Sequence, residues 1–118
     1  MSSFSFSKKE RLLNPRDFVK ANRRGRRVQT PHFTLIYTEN GMGIARLGIT
    51  ASRKTGNAVA RNRIKRLVRE FFRLHKSDLP QGHDILIAAK RGASCLDYRE
   101  VEEELSDFLL GKRNRLLS

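Results

Sequence analysis

The sequence predicts an α+β domain, a small sheet with helices packed on it in the order α-β-β-α-β-α. Three observations carry this. The hydrophobic period is two between His32 and Ser52 and becomes helical between Asn57 and His75. A short apolar run, Asp84–Ala89 (DILIAA), has the length of a buried strand and is too short for a helix. The length of 118 residues suits one small domain, and no internal repeat or long linker suggests a boundary.

Each element has its own signal. Asn14-Pro15 before Arg16–Asn22 reads as a helix start, with proline at the first helical position, and Gly25 follows its end. His32–Thr38 (HFTLIYT) alternates and is rich in aromatic and β-branched residues, which predicts a strand. Glu39-Asn40-Gly41 is a turn signal. Ile44–Ser52 predicts a second strand, so the two strands read as a hairpin. Thr55-Gly56-Asn57 breaks the strand, with Gly56 freeing the backbone and Asn57 able to cap the helix that runs to about His75. Leu79–Gly82 is a loop, and Asp84–Ala89 is the last strand. Leu96–Leu110 places Val101, Leu105, Phe108 and Leu109 at helical spacing, with acids concentrated in its first turns, where a helix N-terminus favours them.

Charge is unevenly distributed within the net +13. Residues 1–27 carry +7, residues 53–76 carry +8, residues 96–110 carry −5, and the tail from Gly111 carries +3. The molecule is therefore polarised, with basic surface set to meet a polyanion and an acidic segment pointing elsewhere. No run of about 18 apolar residues exists, so no membrane span is expected. The N-terminal MSSFSFSKKER lacks the apolar core of a secretory signal, and one cysteine, Cys95, allows no intrachain disulfide. Together these suggest a cytoplasmic protein.

The segment Arg53–Lys76 is the most informative. It holds nine Lys/Arg and a single acid, Glu70. On a helical projection from Ala60, the residues Ile64, Leu67, Val68, Phe71 and Leu74 fall between about 320° and about 80°, which defines a core face. Arg61, Lys65, Arg69 and Arg73 follow at i+4, with Asn62 and Arg66 beyond them and Arg63 on the other flank. Phe72 lies among the cations, where it either packs against another element or stacks on a base. An ordinary basic helix face is solvated. Here so few acids oppose the cations that they would repel one another in isolation, which favours a polyanionic partner. The predominance of arginine suits bidentate phosphate contact.

Protein-borne nuclease chemistry needs clustered carboxylates or a histidine pair. His32, His75 and His83 fall in separate elements. The acids at Asp97, Glu100, Glu102, Glu103, Glu104 and Asp107 read as a solvated helix face. Cys95 has no partner at zinc spacing and reads as a small buried hydrophobe. No protein-bound metal or cofactor is expected. A structural ribosomal protein or RNA chaperone shares the charge pattern. A protein-only hydrolase would require acids converging beside the basic face. A DNA-binding module would need a helix free to enter the major groove, and the apolar arc leaves little room for that.

The run Gly56-Asn57-Ala58-Val59-Ala60-Arg61-Asn62-Arg63-Ile64-Lys65-Arg66, followed by Arg69-Glu70-Phe71-Phe72-Arg73, resembles the signature of the bacterial ribonuclease P protein subunit. Agreement extends to Arg11-Leu12, Asp17-Phe18, Phe33, Arg46 with Gly48, Arg53-Lys54 and Asp84. The chain departs from the family pattern at Asn22 and Ile36, where members often carry an aromatic residue. The resemblance implies a fold like the second domain of ribosomal protein S5, with a left-handed βαβ crossover. It implies a single RNA-binding domain over 1–118, with 1–10 and 112–118 flexible. The activity it implies is magnesium-dependent endonucleolytic removal of the 5′ leader of precursor tRNA, with catalysis and bound Mg2+ in the RNA subunit. The partners would be ribonuclease P RNA and precursor tRNA, with one protein monomer per RNA. Arg53, Lys54, Arg63, Arg66 and Arg73 would contact the catalytic RNA. Phe18, Arg61, Asn62, Lys65 and Arg69 would contact the leader, in a groove beside the sheet with Phe18 at its wall.

Overall fold

The computed structural model describes Lys20, residues 23–79 and residues 81–109. The expected first helix lies mostly outside the described residues, and Lys20, Arg23 and Arg24 are helical. Four strands follow one another as β1 (Arg26–Gln29), β2 (Phe33–Glu39), β3 (Arg46–Ala51) and β4 (His83–Ala89). Two long helices complete the described fold, α1 (Ala58–His75) between β3 and β4, and α2 (Tyr98–Leu109) after β4.

The sheet order is β1-β2-β4-β3. β2 pairs antiparallel with β1 and β4, whereas β3 pairs parallel with β4. The expected β2–β3 hairpin is therefore wrong, because β4 lies between the two strands. The physical reason is in β4 itself. Ile85 and Ile87 face one side and Leu86 the other, and all three are buried. A strand apolar on both faces is most stable in the interior of a sheet. The turn after β2 is real: Asn40 Nδ2 donates to the Ile44 carbonyl at 3.1 Å and to Asp84 Oδ1 at 2.9 Å, drawing the loop to the start of β4. Strand β1 was not anticipated. Its four residues, RRVQ, hold one apolar side chain, so no alternation could appear, and its two arginines suit an exposed sheet edge.

Phe33, Leu35 and Tyr37 of β2, Leu47 of β3 and Ile85 and Ile87 of β4 are buried with Ile64, Val68, Phe71 and Phe72 of α1 and Val101, Leu105 and Leu109 of α2. Both helices thus cover one face of the sheet. On the opposite face Ile36 and Leu86, cross-strand partners, form a separate buried pair. That face also carries Asp84, whose carboxylate takes a bidentate pair from Arg46, Nε to Oδ1 at 2.7 Å and Nη2 to Oδ2 at 2.7 Å.

The helix α1 rotates slightly from its expected pose. Phe72 is buried, which decides between its two readings in favour of packing, and Leu74 is exposed although it was expected in the core. The buried arc therefore lies about 30–40° closer to the cationic flank than the apolar periodicity suggested. Phe72 and Leu74 sit at opposite edges of the apolar sector, and tertiary packing decides which edge is covered.

α2 is more than a solvated acidic face, which corrects the expectation for two of its carboxylates. Glu104 accepts from the His32 backbone N–H at 2.7 Å and lies 2.8 Å from His32 Nδ1, and the Thr30 hydroxyl also donates to it. Glu102 lies 2.9 Å from His75 Nε2 and accepts from the Tyr98 hydroxyl at 3.2 Å. These contacts tie α2 to the turn before β2 and to the end of α1. The helix begins with a reciprocal cap: Asp97 Oδ1 accepts from the Glu100 N–H at 2.8 Å and Glu100 Oε1 from the Asp97 N–H at 3.1 Å. Cys95 is exposed, contrary to expectation. It ends a single tight turn, Ala93–Cys95, in which Ala93 occupies the buried position.

Candidate nucleic-acid interface

The strand-to-helix turn that introduces α1 is held from several sides. Ser52 Oγ accepts from the Lys54 N–H at 3.3 Å, starting one turn of 3-10 helix over Arg53–Thr55. Thr55 is buried and donates its hydroxyl to the Ala89 carbonyl at the end of β4, at 3.3 Å. Ser94 Oγ donates to the Thr55 carbonyl at 3.3 Å. Gly56 has φ 148°, and a Cβ there would come within 2.8 Å of the Ala60 Cβ. Asn57 then caps the helix, its Oδ1 accepting from the Ala60 N–H at 2.9 Å, as the sequence predicted. These contacts fix where α1 starts, and so fix the direction of every cation along it.

The cations emerge from this frame on the turn and along the solvent-facing arc of the helix. Arg53 and Lys54 on the turn, and Asn62, Arg63, Arg66 and Arg69 on the helix, are exposed. Arg61 and Lys65 are half-buried and flank Phe72 on the helical projection, so their stems run along the rim of the core. Arg61 Nε also donates to the Asn57 carbonyl at 3.4 Å, and Arg63 Nη1 to the Ser94 carbonyl at 2.8 Å. Glu70, the helix's one acid, is occupied by Arg73 in a two-point pair at 2.9 and 2.8 Å. That hydrogen-bonded guanidinium holds the Glu70 carboxyl below its ordinary range. Among the described residues, Arg53, Lys54, Arg61, Arg63, Lys65, Arg66 and Arg69 have no carboxylate within ion-pairing distance. Phe18 lies outside the described residues, and so does the departure at Asn22. Ile36 lies on the sheet face opposite α1.

The sequence-predicted cations are thus brought together. No sequence pattern signals that Arg63 bridges to Ser94, because that contact crosses from the helix to a loop 31 residues away. Among the described residues, no three or more His, Cys, Asp or Glu side chains are grouped so that they could hold a metal ion. No helix among the described residues is long and apolar enough to cross a membrane.

Comparison with known proteins agrees with this geometry. The sequence model of the family described as Ribonuclease P matches residues 6–113. The chain belongs to the ribonuclease P protein family. It is 46% identical to the ribonuclease P protein component of Geotalea uraniireducens over 109 residues, covering 92% of this chain and 96% of the relative. It is 38% identical to that of Thermotoga maritima, covering 89% and 93%. The solved structure of the Thermotoga maritima RNase P protein superposes with a TM-score of 0.79 at 38% identity, covering 86% of this chain and 96% of that one. The Staphylococcus aureus RNase P protein gives 0.76 at 34% identity, with 82% and 89% covered. Family membership places the chain in tRNA processing as a protein component of ribonuclease P, and the α+β fold with its parallel β3–α1–β4 unit is the fold of these relatives.

Proposed function

We propose that this protein is the accessory subunit of an RNA-based endoribonuclease in the cytoplasm. It binds ribonuclease P RNA and the 5′ leader of precursor tRNA, and it assists magnesium-dependent removal of that leader. One observation carries the reading: a rigidly framed helix presents seven Lys/Arg side chains that no carboxylate among the described residues neutralises, counting Arg53 and Lys54 on its leading turn. Such a surface is costly in isolation and becomes favourable against phosphates, where each cation releases condensed counterions. Catalysis belongs to the RNA and its bound Mg2+; the protein supplies binding free energy and screens RNA–RNA repulsion.

The cations divide by direction. Arg63, Arg66 and Arg73, with Arg53 and Lys54, contact the catalytic RNA. Arg61, Asn62, Lys65 and Arg69 run along the other flank toward the leader, with Phe18 as a further contact. The space directly between α1 and the sheet is filled by Ile64, Val68, Phe71 and Phe72. A leader groove therefore runs along the flank of the helix, where Arg61 and Lys65 meet the core. Arg73 contributes least, since Glu70 already engages it.

Reconstitution tests the reading. At low magnesium, the RNA subunit with this protein should remove leaders that neither removes well alone. The magnesium needed should fall as protein is added, because protein cations and metal ions screen the same charge. If an RNA-free preparation cleaved precursor tRNA and lost that activity on substitution of one carboxylate, the catalyst would be the protein and the proposal would be wrong.

A further inference from the structure

The sequence carries two basic blocks, and the function proposed above uses only the second. Arg24 and Arg26, from the first block, line a cavity of about 310 Å3 together with Tyr37, Thr38, Glu39 and His83. Strand register builds this site. Arg26 is the cross-strand partner of Tyr37, and Glu39 is the partner of His83. Tyr37, Glu39 and His83 point to one face by alternation, the face opposite Ile36 and Leu86. The Tyr37 and His83 rings lie 5.8 Å apart, tilted at 51°. The Gln81 carbonyl can only accept, so His83 Nδ1 carries the proton between them at 3.0 Å, and Nε2 is the ring's remaining polar atom. Arg24, Arg26 and Glu39 are exposed, whereas His83 is half-buried.

The strand directions also locate the cavity. β3 ends beside the end of β4 and leads into Arg53 and Lys54, whereas the cavity lies at the start of β4 and the end of β2. It is at the other end of the sheet from the leading turn of α1, about 20 Å away at the rise of a seven-residue strand.

Charged side chains on an edge strand guard against edge-to-edge pairing. That accounts for arginines on β1, but not for Arg26 converging with Arg24, which precedes the strand, and with a carboxylate around a cavity walled by aromatic rings. A volume of this size suits a small ligand of roughly one nucleotide. Guanidiniums match a phosphate, ring edges match a base, and a carboxylate matches donors on a base edge. We infer that this cavity binds one nucleotide of single-stranded RNA, with the phosphate on Arg24 and Arg26 and the base against Tyr37 and His83. Glu39 favours a base whose edge presents adjacent donors, such as guanine, over uracil. The contact lies on the helix-covered face but at the other end of the sheet from the leading turn of α1, and it does not depend on the leader reading.

The test is titration of the full chain with GMP, UMP and inorganic phosphate, followed by nuclear magnetic resonance of the Tyr37 and His83 rings. GMP should move both ring signals saturably and bind several-fold more tightly than UMP. Phosphate alone should leave the rings in place. Arg26→Gln, at an exposed site, should weaken GMP binding about tenfold, as loss of one charge-assisted phosphate contact implies. Glu39→Gln should reduce the preference for GMP over UMP. Ring signals unmoved by GMP, an Arg26→Gln variant that binds GMP as the parent does, or phosphate reproducing the whole pattern would each overturn the inference. The readout is the rings and not cleavage, so a negative result here leaves the leader reading standing, and a failed cleavage assay leaves this one standing.

Discussion

Removal of the Asp84 carboxylate should destabilise the domain by about 3 kcal/mol. Asp84 is 4% exposed and receives three hydrogen bonds, two from Arg46 and one from Asn40. In Asp84→Ala the Arg46 guanidinium, its side chain 16% exposed, would keep its charge with that acceptor removed. Breaking a buried pair by deleting one partner costs about 3–5 kcal/mol. The partial exposure of Arg46 and the second bond that Asn40 keeps to the Ile44 carbonyl put the expectation at the lower end. That is a large share of the roughly 5–15 kcal/mol that holds a domain together. With a urea slope of about 1.5 kcal/mol/M, the unfolding midpoint followed by circular dichroism should fall by about 2 M. The pair need not be net stabilising against an apolar replacement, so Arg46→Met with Asp84→Leu should recover much of the loss. A loss below about 1 kcal/mol in Asp84→Ala, or a double variant as unstable as the sum of the singles, would refute the reasoning.

Three further outcomes are expected. Burial, with the Glu102 carboxylate as a second cause, pushes the Tyr98 phenol up to about 12. A raised folded pKa gives a contribution to stability that is complete below the unfolded value of about 10 and lost as pH rises toward 12. Unfolding free energy should therefore fall over that window more in the parent than in Tyr98→Phe, and identical profiles would count against it. Alanine at Arg66 should weaken binding to ribonuclease P RNA and lower the salt slope by about one, whereas alanine at Lys65 should weaken precursor tRNA more than mature tRNA; equal losses for both RNAs would remove the division between the flanks. Gly56→Ala should destabilise by more than 1 kcal/mol in urea titration, since its φ of 148° and the 2.8 Å approach to the Ala60 Cβ both oppose a side chain; a neutral result would show that the turn can relax.

The central helix was legible because one strong period, one cap and one glycine agree over its whole length. Asn57 caps the helix and Gly56 makes the turn as expected, while packing sets the rotation of the helix, burying Phe72 and exposing Leu74. The strand order was not legible, because a turn signal such as Glu39-Asn40-Gly41 says that the chain reverses but not which strand it will pair with. The clue lay in Asp84–Ala89, whose apolar character on both faces suits a central slot, but that run pairs with neighbours 38 residues away in β3 and 46 to 56 away in β2. β1 carries no such signal, because it draws its stability from β2 and contributes almost no pattern of its own. The same limit applied to α2: nothing in an acidic helix reveals that Glu102 and Glu104 will meet His75 and His32 across the fold.

The anchored turn between β3 and α1 makes the segment's length matter more than its composition. A helix advances about 100° per residue, so the direction of every side chain on α1 is counted from the Asn57 cap. One residue inserted or deleted between Thr55, pinned to the end of β4, and Ala58 would rotate the whole array by a quarter-turn or more. Phe71 and Val68 would turn out of the core and cations would turn into it. Substitutions along the exposed arc can exchange one cation for another at small cost, while a change in spacing would scramble core and surface together. The turn acts as the phase reference for the helix, tying the RNA-facing pattern to the same backbone register that packs the interior.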